Sequence, residues 1–207
     1  METDPKKRFS SRAVRKSGFS TLELVIVMAV MLIVTAVGLP SFFRALRTYK
    51  LNDAATRVAS VLKFTRYEAI RTNVSTTLAA GVKPGGNNNC PATSNWCFWT
   101  DSIANTNLDL TENQTQLTGE ISLVAPGVPP GGLAAAVGAG ALTDARLAGF
   151  VAFDRRGAVV PAAVDVLYLR NTVLPDLGLG YRAVVLLPSG SVQIWQSDNV
   201  GPWRQAN

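Results

Sequence analysis

Apolar positions are spread unevenly along the chain, and their spacing changes twice. From Leu24 to Leu39, sixteen residues contain nothing more polar than Thr35, so no face of this stretch is wet. Leu51, Ala54, Ala55, Val58, Val61, Leu62, Thr65 and Ala69 then recur at three- and four-residue steps, while Arg44, Arg47, Lys50, Arg57, Lys63, Arg66 and Arg71 fill other faces. That spacing draws one apolar stripe on a helix whose back is a solvated cationic face. Phe19 to about Thr72 therefore reads as a single helix, on the order of 80 Å long at a rise of ~1.5 Å per residue. Nothing of that length packs wholly within a domain of this size, so the first half is expected to project and the second half to lay its stripe on a sheet. Pro40 lacks an amide hydrogen and crowds the preceding turn, which predicts a kink or loosened turn over residues 37–40.

After Asn73 the pattern shortens to strands and turns. Residues 74–82, 96–100, 121–125, 150–153, 158–160, 164–169, 181–187 and 191–195 are mostly rich in branched and aromatic residues. Asp154 to Gly157 separates one pair of these runs and Pro188 to Gly190 another, and each pair reads as a β-hairpin. Residues 84–95 and 126–140, rich in Gly, Pro and small side chains, read as surface loops with a possible recognition role. The fold class is thus α+β: a long N-terminal helix packed by its second half on a C-terminal antiparallel sheet domain. The expected segments are residues 1–18 as a leader, 19–40 as a transmembrane half-helix, 41–72 as an amphipathic half-helix and 73–207 as an exported β-rich domain.

Charge gives the first segment an orientation. Residues 1–18 hold six basic and two acidic side chains, a net +4, and basic flanks resist transfer across a membrane. Phe19 to Leu39 spans roughly 31 Å as a helix, about one hydrocarbon thickness. A single-pass membrane segment follows, with a cytoplasmic N-terminus and an exported domain. Two processing routes fit: a cut at Gly18-Phe19 that keeps the helix, or ordinary signal peptidase near Ala36, which would release a secreted domain.

Glu23 is the one ionisable residue between Phe19 and Phe43. A carboxylate at the edge of a membrane helix costs on the order of a few kcal/mol if unpaired, so it faces either headgroup water or a partner. Cleavage after Gly18 would place a new ammonium group on Phe19, four residues away, and the same group on neighbouring copies. Pairing of that amine with Glu23 of the next subunit would set the axial stagger of a helical assembly, because other registers leave a buried charge.

Gly18-Phe19-Ser20-Thr21-Leu22-Glu23 followed by the apolar run resembles the class III leader of type IV pilins and type II secretion pseudopilins. The resemblance implies a prepilin peptidase that cuts between Gly18 and Phe19, N-methylation of Phe19, and Glu23 as the assembly carboxylate that meets other pilins or pseudopilins. The segments FDRRGAVV and YRAVVLLPSGSVQIW resemble the C-terminal strand pairs of the GspH/FimT family of minor pseudopilins. Membership implies a structural, assembly-priming part in a type II secretion pseudopilus or a type IV pilus. FimT-like relatives can also take part in DNA uptake, which makes Arg155, Arg156, Arg182 and Arg204 candidate phosphate contacts. Against that stand the net −2 of residues 73–207, with seven basic and nine acidic side chains, and a tail that offers Arg204 alone.

Chemistry elsewhere is sparse. The chain has no His and two Cys, so no His-based dyad exists and two thiols make a poor zinc site. No catalytic residue, metal site or cofactor is expected, and an enzyme is not. Cys90 and Cys97 in an oxidising compartment are expected to form a disulfide closing a small ring that contains Trp96. Asp144, Asp154, Asp165, Asp176 and Asp198 lie beside turns or strand ends, where Asp commonly serves turn or cap chemistry.

Overall fold

The computed structural model describes residues 18–73, 78–102, 105, 107–109, 111–173 and 178–206. The expected leader, apart from Gly18, residues 74–77 of the first expected strand, and Asp176 lie outside them. Helix α1 runs Thr21–Thr72 and stays helical through Pro40. The chain divides into two compact units, Met1–Phe42 and Phe43–Asn207. In the first, every described residue is exposed, including Leu22, Val25, Met28, Leu32 and Val37.

The second unit holds two sheets where one was expected. Strands β1 (Leu78–Pro84), β2 (Ser94–Asp101), β3 (Gln114–Thr118), β6 (Phe150–Phe153) and β7 (Val159–Val160) form a five-stranded sheet in the order β3-β2-β1-β6-β7. Strands β4 (Ile121–Val124), β8 (Asp165–Asn171), β9 (Tyr181–Leu186), β10 (Val192–Ser197) and β11 (Arg204–Gln205) form the other, ordered β11-β10-β9-β8-β4, and β5 (Thr143–Asp144) adds to β8 in parallel. Both expected hairpins are present, with Ala152 opposite Val160 in one and Val185 opposite Gln193 in the other.

The helical stripe is the centre of the core. Leu51, Ala54, Ala55, Val58, Val61, Leu62, Thr65 and Ala69 are all buried, together with Ala59. They meet Val82, Phe98 and Phe153 from the first sheet and Leu167, Leu169 and Leu186 from the second. At about 1.5–3 kcal/mol for each large aliphatic or aromatic side chain buried, this layer is the main source of stability in the unit. Thr65 keeps its hydroxyl satisfied inside the layer, donating to Val61 O at 2.9 Å and sharing a 2.8 Å hydrogen bond with Thr100.

Each sheet also buries part of its outer face. Val166, Tyr168, Tyr181, Ala183 and Val185 lie under Leu133 and Trp203, which explains why β9 is buried at all six positions and reads as nearly unbroken apolar sequence. Leu133 belongs to helix α2 (Leu133–Val137), bracketed by Gly132 and Gly138. The stretch 126–140, expected to be a surface loop, therefore contains a short helix that covers a sheet, tied down by Trp203 Nε1 donating to Pro130 O at 2.9 Å. Helix α3 (Ala145–Ala148) is capped by Asp144, whose carboxylate accepts from Arg146 N at 3.1 Å.

The outer face of the first sheet carries the disulfide. Cys90 and Cys97 are bonded, with Cα atoms 5.8 Å apart, and cluster with Trp99 and Leu108. Gly86 N donating to Cys90 O at 2.8 Å and Ser94 N to Pro91 O at 2.9 Å make the 84–95 stretch a folded β1–β2 connection. So short a ring removes about 2 kcal/mol of unfolded-chain entropy. Replacing both cysteines with serine is expected to lower the urea unfolding free energy by about that amount, read from tryptophan fluorescence; an unchanged midpoint would contradict it.

Candidate functional site

The N-terminal residues are positioned by the start of α1. Ser20 Oγ accepts from Leu22 N at 3.3 Å and Ser20 O from Leu24 N at 3.1 Å, so Ser20 opens the helix and fixes Glu23 in its first turn. A carboxylate there is favoured by the partial positive charge of the helix start. Phe19 is 82% exposed, and Glu23 and the apolar residues after it are exposed as well. The helix is long and apolar enough to cross a membrane. What this end presents is an uncovered apolar rod with a single negative charge near its tip, suited to lateral packing in lipid and to pairing with one cation.

The second unit holds the candidate arginines, and the fold divides them into two separate pairs, Arg155 with Arg156 and Arg182 with Arg204. Arg155 and Arg156 are exposed on the β6–β7 turn, shaped by Asp154 Oδ1, which accepts from Arg156 N and Ala158 N, both at 2.8 Å. The Ala158 amide is the chief cause that holds the Asp154 carboxyl below its ordinary range. A depressed pKa contributes stability above the unfolded value near ~3.9, lost as pH falls through the folded value. Asp154→Ala is therefore expected to lower Tm at neutral pH and to lose its effect as the pH falls through the depressed folded-state value, measured by thermal scans; a gap that persists in strong acid would contradict this.

Arg182 differs from the exposed side chain expected of a phosphate contact. It is 6% exposed, because its strand lies between the helix and the outer cover. Its Nε donates to Asn52 Oδ1 at 2.6 Å and its Nη1 to Tyr181 O at 2.9 Å. The turn bearing Arg155 and Arg156 instead sits by Arg66, whose Nε donates to Gly157 O at 3.1 Å. Asn52 and Arg66 are about 20 Å apart along the helix by its rise, so the two arginine groups sit at separate places on the domain. Arg204 is exposed on β11 beside the Arg182 group.

Sequence reasoning missed Asn52 as the partner of Arg182, and 130 positions separate them with no local signal. It also missed Arg47, 3.5 Å from Glu120, whose carboxylate also accepts from Asn171 Nδ2 at 2.8 Å. Among the described residues no group of His, Cys, Asp and Glu is placed to hold a metal ion.

Comparison with known proteins adds one finding. A family model described as Type II transport protein GspH matches residues 54–190, more than half of the chain and wholly outside the pilin-like N-terminal motif. No curated protein and no solved structure matches.

Proposed function

The chain belongs to the GspH family of type II transport proteins, and on that footing we propose that it is a minor pseudopilin, drawn from the inner membrane into a short fibre by its N-terminal helix. The observation that carries this reading is the bare apolar start of α1, every described residue exposed, with Glu23 as its one charge. An isolated soluble domain would have no use for that surface, whereas in lipid it is solvated and in a fibre it is covered by the same helix of other subunits. Prepilin peptidase removes residues 1–18, leaving Phe19 as the new, N-methylated terminus. Its amine then lies within a helical turn or so of Glu23 and of the equivalent carboxylate on a neighbour.

The match over 54–190 and the motif at 18–39 do not overlap, so two separate parts of the sequence support the same machine. The folded second unit is held outside the membrane, where the Cys90–Cys97 bond is stable in an oxidising compartment. It acts by shape and contact, as a subunit of a secretion pseudopilus, and performs no chemical step. Fractionating the full chain and its Glu23→Ala counterpart between membrane and sheared fibre tests the reading. Recovery of the parent with other pilin-like subunits is the predicted result, and its absence from every sheared fraction would overturn it.

A further inference from the structure

A recess of about 200 Å³ opens where the start of β9, the end of β10 and the segment leading into β11 meet. It is lined by Arg182, Gln196, Ser197, Asp198, Pro202 and Arg204. We propose that this recess receives one carboxylate group from outside the domain, with Arg182 as its buried anchor and Arg204 at its mouth.

Arg182 is a buried cation with no ion-paired carboxylate among the described residues. A guanidinium carries five N–H donors and stays protonated. Two of them are used, by Asn52 Oδ1 and Tyr181 O, and both acceptors are neutral. No carboxylate lies within 4.0 Å of it among the described residues, although the side chain is 6% exposed. Asp198 attracts the guanidinium through space without forming an ion pair with it, and it stands alone against the two cations Arg182 and Arg204 in the recess. A buried cation with no anion bound to it is costly, and the planar fork of arginine matches the two oxygens of a carboxylate. The two hydrogen bonds to Asn52 and Tyr181 hold the guanidinium in place, so little side-chain entropy remains to be lost on binding. Gln196 and Ser197 add neutral polar groups to the wall, and Arg204 adds a second positive charge.

Asp198 decides the class of anion. Asp198 lines the same recess, and its negative charge repels a second negative group, more strongly for a doubly charged phosphate than for a singly charged carboxylate. Residues 73–207 carry net −2, which disfavours a polyanion further. With ~30 Å³ per water in the liquid, the volume holds a carboxylate with a few waters and no more than a residue or so of a chain. The donor is either an acidic side chain or chain terminus of a partner protein, or a free small organic acid. This inference is independent of how the N-terminal helix is processed.

The test uses the full chain, ¹⁵N-labelled and held in detergent, with ionic strength kept constant by chloride. The probes are sodium acetate, a short peptide with one glutamate, inorganic phosphate and a short single-stranded DNA. The Nε–H signal of Arg182 is expected to shift saturably with acetate or the peptide. Arg204→Gln, at an exposed position, should raise the apparent Kd at least fivefold, and Asp198→Asn should lower it severalfold. A peptide that binds tenfold or more tighter than acetate identifies a protein partner, while equal binding identifies a free acid. No saturable shift with either carboxylate overturns the proposal, as does tighter binding of phosphate or DNA. An Asp198→Asn variant that loses stability while acetate leaves the signal unmoved would also overturn it, by showing Asp198 to be the internal counter-ion.

Discussion

Glu23→Ala is expected to leave the protein at its normal level in the membrane and to reduce its share in sheared fibres by at least tenfold. Alanine removes a charge from the insertion step, so membrane entry is no harder. On the proposed route, the substitution removes the one acidic group on the first turn of α1 and would leave the amine of a neighbouring Phe19 without its partner. An ammonium group left unpaired at the edge of the hydrocarbon costs on the order of a few kcal/mol, and each 1.4 kcal/mol is about tenfold in an equilibrium. Glu23→Gln keeps size and hydrogen bonding without charge, so it should resemble the alanine variant. Glu23→Asp, which keeps the charge on a shorter arm, should fall between. Equal recovery of Glu23→Ala and the parent in fibres would show that register comes from packing alone.

Gly190→Ala is expected to destabilise the second unit by about 3 kcal/mol or more, a drop of roughly 10 °C in Tm for a domain of this size. Two hairpin turns and the helix meet at this residue. Val159 N donates to Pro188 O at 3.0 Å, and Arg66 Nε donates to Gly157 O at 3.1 Å. A Cβ on Gly190 would lie 1.8 Å from Gly157 O and 2.8 Å from Arg66 Nε, at a φ of +77 that side chains rarely adopt. The backbone oxygen cannot step aside without separating the turns or releasing Arg66. Gly127→Ala is the control, since nothing lies within 4 Å of its would-be Cβ, and it should change stability by less than about 0.5 kcal/mol. Thermal scans of the two variants under one condition decide the matter, and a small effect at Gly190 would mean that the turns are not locked together.

The amphipathic half of α1 was legible because burial there follows one helical face: every position of the predicted stripe is buried. The two hairpins were legible because their turns carry Asp-Arg-Arg-Gly and Pro-Ser-Gly between β-rich runs. Strand β3 was not, since Gln114, Thr115 and Gln116 are polar and only Leu117 of the five is buried. Its pairing is set by β2, with Cys97 opposite Gln116, and leaves little trace in local composition. Helix α2 has five residues, too few to establish a period, and its role depends on Trp203 far along the chain. The split into two sheets was hidden for a similar reason: strand order is a matter of long-range pairing, and β6 joins β1 while β8 joins β9. At the N-terminus the situation reverses, because the roles proposed for Gly18, Phe19 and Glu23 rest on their positions in a linear motif, which is read without any tertiary contact.

The central claim is that the chain is cut before its apolar helix and keeps it, which puts an amine and Glu23 at the same end of the rod. Mass spectrometry of the N-terminal peptide, taken from protein extracted from its native membrane, addresses this directly. The predicted result is a peptide that begins at N-methylated Phe19, with residues 1–18 absent. A chain that still begins at Met1, or one that begins after Ala36, would contradict it.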